Sequence, residues 1–156
     1  MVEGIEMKIA LASDHGGYDL KLEIARYLSA KNIAFIDYGC GPGETVDYVD
    51  FAARAIAAVQ SRACDLAILV CGTGMGMSLA ANKFKGIRST TCWNAYTAEM
   101  SRRHNDANCL TLGGRTVTPE QALEIVEVWL KTPFEGGRHA RRLEKIRQLE
   151  ERHFRP

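Results

Sequence analysis

Along this chain, short apolar runs without alternation recur, each followed by a glycine-rich or polar turn and then by apolar positions three or four apart. A continuous apolar run reads as a strand buried on both faces, and the wider spacing as a helix covering it. Lys8 to Ser13 is the first run, followed by Asp14-His15-Gly16-Gly17 and a helix marked by Leu20, Ile24, Tyr27 and Leu28. Ala34 to Tyr38 is the second, closed by Gly39-Cys40-Gly41-Pro42-Gly43. After Val46-Asp47-Tyr48, a helix carries Val49, Ala52, Ala53, Ile56 and Val59 on one face. Leu66 to Val70 is the third run; it ends in Cys71 and three alternating glycines before a helix through Ser78, Ala80 and Ala81. Arg88 to Cys92 predicts a fourth strand with a helix over about Ala95 to Arg103, and Cys109 to Leu112 a fifth, stopped by Gly113-Gly114-Arg115. Thr118-Pro119-Glu120 starts the next helix, whose buried stripe is Leu123, Val126 and Leu130, with Trp129 in the core. Pro133 and Gly136-Gly137 then break the chain before a basic helix from about Arg138 to Glu151.

Strands alternating with helices at these intervals predict an α/β fold, a three-layer sandwich with a five-stranded parallel sheet and helices on both faces. Winding from neighbour to neighbour suggests the strand order 2-1-3-4-5. Residues 1–7 are a lead without an assigned role, and 8–156 form one Rossmann-like domain. In such a sheet ligands collect beyond the carboxyl ends of the strands. That rule predicts that Asp14 and His15, the loop Cys71 to Gly76, and Arg115 meet.

Composition narrows the chemistry. With 156 residues, 46% hydrophobic, the chain is long enough for one proper core, and a net charge of +1 offers no field for nucleic acid or an acidic membrane. Any bound anion is therefore small. The five cysteines, Cys40, Cys64, Cys71, Cys92 and Cys109, form no CxxC pair, which predicts free thiols in a reducing cytoplasm. No apolar run reaches the length of a membrane span or resembles a signal peptide.

The loop after the third strand is the richest stretch. Gly72, Gly74 and Gly76 are free to adopt backbone conformations closed to other residues, so the amides from Gly72 through Thr73 and Met75 to Gly76 converge on an anion. A cysteine beside a helix start ionises more easily than a free one. Known phosphate loops do not fit: there is no Gly-Lys-Ser/Thr ending, the spacing is GxGxG rather than GxGxxG, and Met77 stands where a cysteine phosphatase needs arginine. A buried, inert cysteine is the competing reading of Cys71.

Other candidates each have a plainer use. Arg138 and Arg142, four apart, share a helix face that suits phosphate, though a solvated basic helix has the same pattern. His104 next to Asn105 and Asp106 is also the residue type of a cationic helix end, Asp14 that of a helix cap, and Tyr48 that of an aromatic packed at a helix entry. His139 and His153 stay unassigned. Together the parts comprise a thiol base, an amide cradle, an Asp-His pair, a second histidine and arginines. That set suits proton abstraction beside a carbonyl, with the enediolate held by amides and no cofactor. A metal-assisted hydride shift needs clustered carboxylate and histidine ligands; neither HxxxH nor ExxH spacing occurs at these sites, so no metal is expected.

Several motifs, in order, resemble ribose-5-phosphate isomerase type B: Ser13-Asp14-His15-Gly16-Gly17, Val46-Asp47-Tyr48, Cys71-Gly72-Thr73-Gly74-Met75-Gly76 with Ala80-Ala81-Asn82-Lys83, Ser101 through Asn108, and Phe134-Glu135-Gly136-Gly137-Arg138-His139. The resemblance runs from Met7 to about Ile146. It implies interconversion of ribose 5-phosphate and ribulose 5-phosphate by a homodimer or dimer of dimers with shared sites, and a sheet whose last two strands are exchanged. Cys71 would move the proton between C2 and C1, and His104 would open the furanose ring. Asp14 and His15 would contact the sugar or its phosphate. Thr73 and the amides of Gly72 to Gly76 would hold the enediolate, with Tyr48 and Asn105 at the substrate. Arg115, Arg138 and Arg142 would grip phosphate. His104, Asn105 and Arg115 are expected to cross from the partner. A family branch without the cysteine has glutamate at the position of Met77, so this chain follows the thiol version. Trp93, in Thr91-Cys92-Trp93-Asn94, departs from the family pattern near the substrate. Two rival functions are a 6-phosphohexose isomerase of the same family and a non-catalytic phosphate- or nucleotide-binding module.

Overall fold

The computed structural model describes residues 6–154. Five parallel strands, β1 (Lys8–Ser13), β2 (Ala34–Asp37), β3 (Leu66–Cys71), β4 (Ser89–Thr91) and β5 (Cys109–Gly113), form one sheet. Six helices alternate with them and follow the last: α1 (Tyr18–Ala30), α2 (Tyr48–Gln60), α3 (Met75–Ala81), α4 (Ala95–Asn105), α5 (Pro119–Lys131) and α6 (Arg138–His153). The predicted α/β sandwich is the fold of this protein.

The strand order is β2-β1-β3-β5-β4, so simple neighbour winding is corrected and the exchange implied by the family resemblance holds. Burial explains the order. β3 and β5 are buried at every residue and β1 at all but its first, whereas β2 and β4 keep half-buried or exposed positions. A three-residue Ser-Thr-Thr strand has little apolar surface to bury and sits at an edge.

Alternation along the central strands separates two cores. Ile9, Leu11, Ile68, Val70, Leu110 and Leu112 pack on α1, α4 and α5, and Trp129 is fully buried in that layer. Ala10, Ala12, Ala67, Leu69, Cys71 and Cys109 pack on α2 and α3. Each large apolar side chain so covered contributes roughly 1.5–3 kcal/mol.

Three helix faces differ from expectation. On α5 the fully buried stripe is Ala122, Ile125, Val126 and Trp129, which leaves Leu123 and Leu130 half-buried. On α2 Val49 is exposed, and Phe51 takes its place in the core. On α1 Lys21 is 1% exposed, its ammonium donating to Asp37 at 2.9 Å and to the Cys40 carbonyl at 2.7 Å. That buried cation ties α1 to the end of β2, and apolar periodicity carries no sign of it. α6 lies outermost: His139 is its one buried residue, and Ile146 and Leu149 are half exposed.

Candidate active site

The turns that follow β1, β3 and β5 lie against one another. β1 passes into a single 3-10 turn, His15–Gly17, capped by Asp14, whose carboxylate accepts from the Gly17 amide at 3.1 Å. Asp14 is thus the helix cap that its residue type suggests, and it is nearly buried. Gly17 is required by contact: a methyl there would run into the Val70 carbonyl at the end of β3. Gly16 brings this turn against the next loop, since a methyl on it would lie 3.2 Å from the Gly72 nitrogen. His15 points across to the segment before α2, its Nδ1 accepting from the Val46 amide at 3.3 Å.

Cys71 ends β3 with 4% exposure, and its Sγ accepts from the Gly74 amide at 3.1 Å. Gly74 has φ +80°, a left-handed conformation open to glycine, and this turns its amide back onto the sulfur. The Met75 amide donates to Thr73 Oγ1 at 3.3 Å. These two of the five loop amides are committed internally, so the expected five-fold cradle is smaller. The amides of Gly72, Thr73 and Gly76 have no acceptor among the described residues. Thr73 and Met75 are exposed and Gly72 and Gly76 half-buried, so this loop is the way in to the sulfur. Met77 is fully buried in the α2 and α3 layer and puts no carboxylate in the loop.

Two side chains flank the loop. The Tyr48 ring lies over Gly76, where a methyl would come within 2.8 Å of it. Arg115 lies over Gly72, where a methyl would be 3.1 Å from its guanidinium, and the Arg115 amide donates to the Gly72 carbonyl at 3.0 Å. Arg115 therefore reaches the loop of its own chain, a correction to the expectation that it crosses from a partner.

His104 and Asn105 belong to a second cluster at the end of α4. Asp106 closes the helix with φ 43°, and Arg88 donates to the carbonyls of Asn105 and Asp106 at 3.2 and 2.9 Å. The His104 ring stacks on that of His139 with centroids 4.1 Å apart and planes within 10°. His139 is 4% exposed, and its Nε2 lies 3.6 Å from Glu135 Oε1. Glu135 in turn receives two bonds from Arg103 at 3.0 and 3.2 Å. Burial, then the charges of His104 and Arg138, hold the His139 pKa below the ordinary value, against the opposing pull of Glu135; Arg142 adds a smaller push downward. Arg138 and Arg142 are exposed on α6 and form no ion pair among the described residues.

No hydrogen bond or ion pair joins the two clusters among the described residues. Glu135 and His139 escaped the sequence reading as site residues; their four-residue spacing gave a hint, but only the fold brings His104 to them. The ligand atoms of His104, Glu135 and His139 lie within 4.8 Å of one another, a carboxylate and histidine cluster that spacing did not reveal. Parallel imidazoles send their lone pairs side by side rather than to one point, so this arrangement does not fit a metal. A groove of about 370 Å³ beneath α6, lined by Ile87, Arg88, Phe134 and Leu143 among others, contains none of the predicted site residues.

The family described as Ribose/Galactose Isomerase matches residues 9–146. Ribose-5-phosphate isomerase B of Escherichia coli is 46% identical over 145 residues, covering 93% of this chain and 97% of that protein. The structure of ribose-5-phosphate isomerase B from Clostridium thermocellum superposes with a TM-score of 0.93 at 52% identity, covering 94% of this chain and 99% of that one. The Mycoplasma genitalium enzyme with bound ribulose-5-phosphate superposes with a TM-score of 0.87 at 41% identity, covering 93% and 97%.

Proposed function

Because this chain belongs to the ribose/galactose isomerase family and is a sugar-phosphate isomerase, we propose that it interconverts ribose 5-phosphate and ribulose 5-phosphate with Cys71 as the base. The hydrogen bond from the Gly74 amide to the Cys71 sulfur carries this reading. That bond holds the sulfur in the loop whose remaining amides, those of Gly72, Thr73 and Gly76, are free to meet a substrate oxygen beside it.

In the closed sugar the bond from C1 to the ring oxygen breaks as the anomeric hydroxyl proton leaves to solvent and His104 gives a proton to the ring oxygen. Cys71 then removes the C2 proton of the open aldose. The enediolate is held by the free amides of Gly72, Thr73 and Gly76 and by the Thr73 hydroxyl. Return of the proton from Cys71 to C1, with transfer of a hydroxyl proton from O2 to O1, gives the ketose. His104 recovers its proton from solvent. Asp14 fixes the turn that carries His15, Tyr48 and Asn105 contact the sugar, and Arg115, Arg138 and Arg142 take the phosphate.

A second copy completes the site in this reading. Met75 and Leu79, in and just after the Cys71 loop, and Trp93 and Tyr96, between β4 and the first turn of α4, are each more than 60% exposed, apolar side chains that a homodimer would cover. It would bring His104 and Asn105 of one subunit to the thiol of the other, and tetramers would follow by pairing of dimers. All five cysteines are free and buried, and no described helix is long and apolar enough to cross a membrane, which suits a reducing cytoplasm.

The test is solvent deuterium. Incorporation at C1 of ribulose 5-phosphate during turnover, abolished in Cys71→Ala, is expected; isomerisation without incorporation would mean a hydride shift instead.

A further inference from the structure

His139 has no part in the proton transfers above, yet it is nearly buried, lies face to face with His104, and has an Nε2 without a hydrogen-bond partner among the described residues. The nearest acceptor, Glu135 Oε1, is 3.6 Å away, beyond a hydrogen bond but close enough to act by charge. A histidine buried only for packing is usually bonded at both nitrogens or replaced by an apolar residue. The contact that His139 does make is the stack itself.

We propose that His139 is a positioning residue for the ring-opening acid: an aromatic platform, set by Glu135 and Arg103, that orients His104 and offers its ring face to it during proton transfer. The inference rests on the assignment of His104 to ring opening.

Three observations support it. The two imidazoles are stacked with centroids 4.1 Å apart and planes within 10°, so each ring fixes the plane of the other. Burial favours the uncharged form of His139, while His104 is half-buried and keeps access to water. A cation over a neutral ring is attracted to its face, and the parallel arrangement provides that contact. The charged groups around His139 are placed accordingly. Glu135 lies on the edge of the ring, anchored by Arg103 from α4, and Arg138 and Arg142 on α6 oppose any second positive charge. Fixed at both ends by α4 and α6, the pair also sets the direction in which His104 offers its proton.

The two halves of the reaction separate this role from a general structural one. Ribose 5-phosphate is mostly a closed ring and needs opening, whereas ribulose 5-phosphate cannot close a furanose through its phosphorylated C5 oxygen. Exchange of its C1 proton with solvent therefore needs Cys71 but not ring chemistry. In full-length protein, His139→Ala is expected to lower isomerisation of ribose 5-phosphate about tenfold, while exchange into ribulose 5-phosphate stays within about twofold of the parent. His139→Phe, which keeps a neutral ring and removes both nitrogens, is expected to recover most of the isomerisation.

Equal loss of both reactions in His139→Ala would overturn the proposal, as would His139→Phe performing no better than His139→Ala. If the parent protein shows no exchange at all, the proton-transfer reading of Cys71 fails. If His104→Asn keeps full isomerisation, the ring-opening assignment fails, separately from the platform.

Discussion

The Tyr48 ring covers Gly76 so closely that a methyl on that glycine would lie 2.8 Å from it, which couples the start of α2 to the loop that ends at α3. Tyr48 is 37% exposed and free to swing outward, so the coupling acts on the site more than on the fold. Gly76→Ala is expected to keep the melting temperature close to that of the parent and to raise KM severalfold, read from steady-state rates beside a thermal melt.

Cys71→Ala removes the proposed base and leaves the strand intact, because alanine fits where a small buried side chain stood. Turnover is expected to fall by about 10²–10⁴, the usual worth of a positioned acid or base. Binding of ribose 5-phosphate by calorimetry should persist. Unchanged turnover would remove Cys71 as the base.

Lys21 ties α1 to Asp37 and the Cys40 carbonyl from a fully buried position. Lys21→Met keeps the volume but leaves the carbonyl and a half-exposed carboxylate without their donor. A loss of about 2–3 kcal/mol in urea unfolding is expected, below the value for a fully buried pair because Asp37 reaches solvent.

Below neutral pH His139 acts on stability in a definite direction. Its folded pKa lies under the ordinary value, chiefly through burial, so the unfolded chain takes up the proton more readily. Its contribution is complete above about pH 6.5 and is lost as pH falls through the lower folded value. The urea midpoint is expected to drop between pH 7.5 and 5.5, and His139→Phe to drop less.

If the exposed apolar surface holds two copies together, a charge on it separates them. Leu79→Glu is expected to shift sedimentation from dimer to monomer and to reduce isomerisation by at least tenfold, because His104 then loses the thiol of the other subunit. A variant that stays dimeric and active would put the interface elsewhere. Comparing kcat/KM on ribose 5-phosphate and on allose 6-phosphate tests the pentose preference, and a clear hexose preference would reverse it.

The sequence by itself determined the buried strands, the position of Cys71 at the end of the most buried one, the glycine loop after it, the capped start of α5 and the burial of Trp129. These depend on local pattern: apolar continuity, periodicity and the conformational demands of glycine act within a few residues. Tertiary structure alone decided that β5 lies between β3 and β4, that Lys21 is buried against Asp37, and that His104 stacks on His139 beside Glu135. Each of these joins residues far apart in the chain. A strand's neighbours depend on which faces remain to be covered, and a buried charge is tolerated only where the fold supplies its partner. The same limit explains why the pairing of His139 with His104 was not legible in the sequence: the partner lies on another helix, 35 residues earlier, and only the docking of α6 against α4 brings the two rings together.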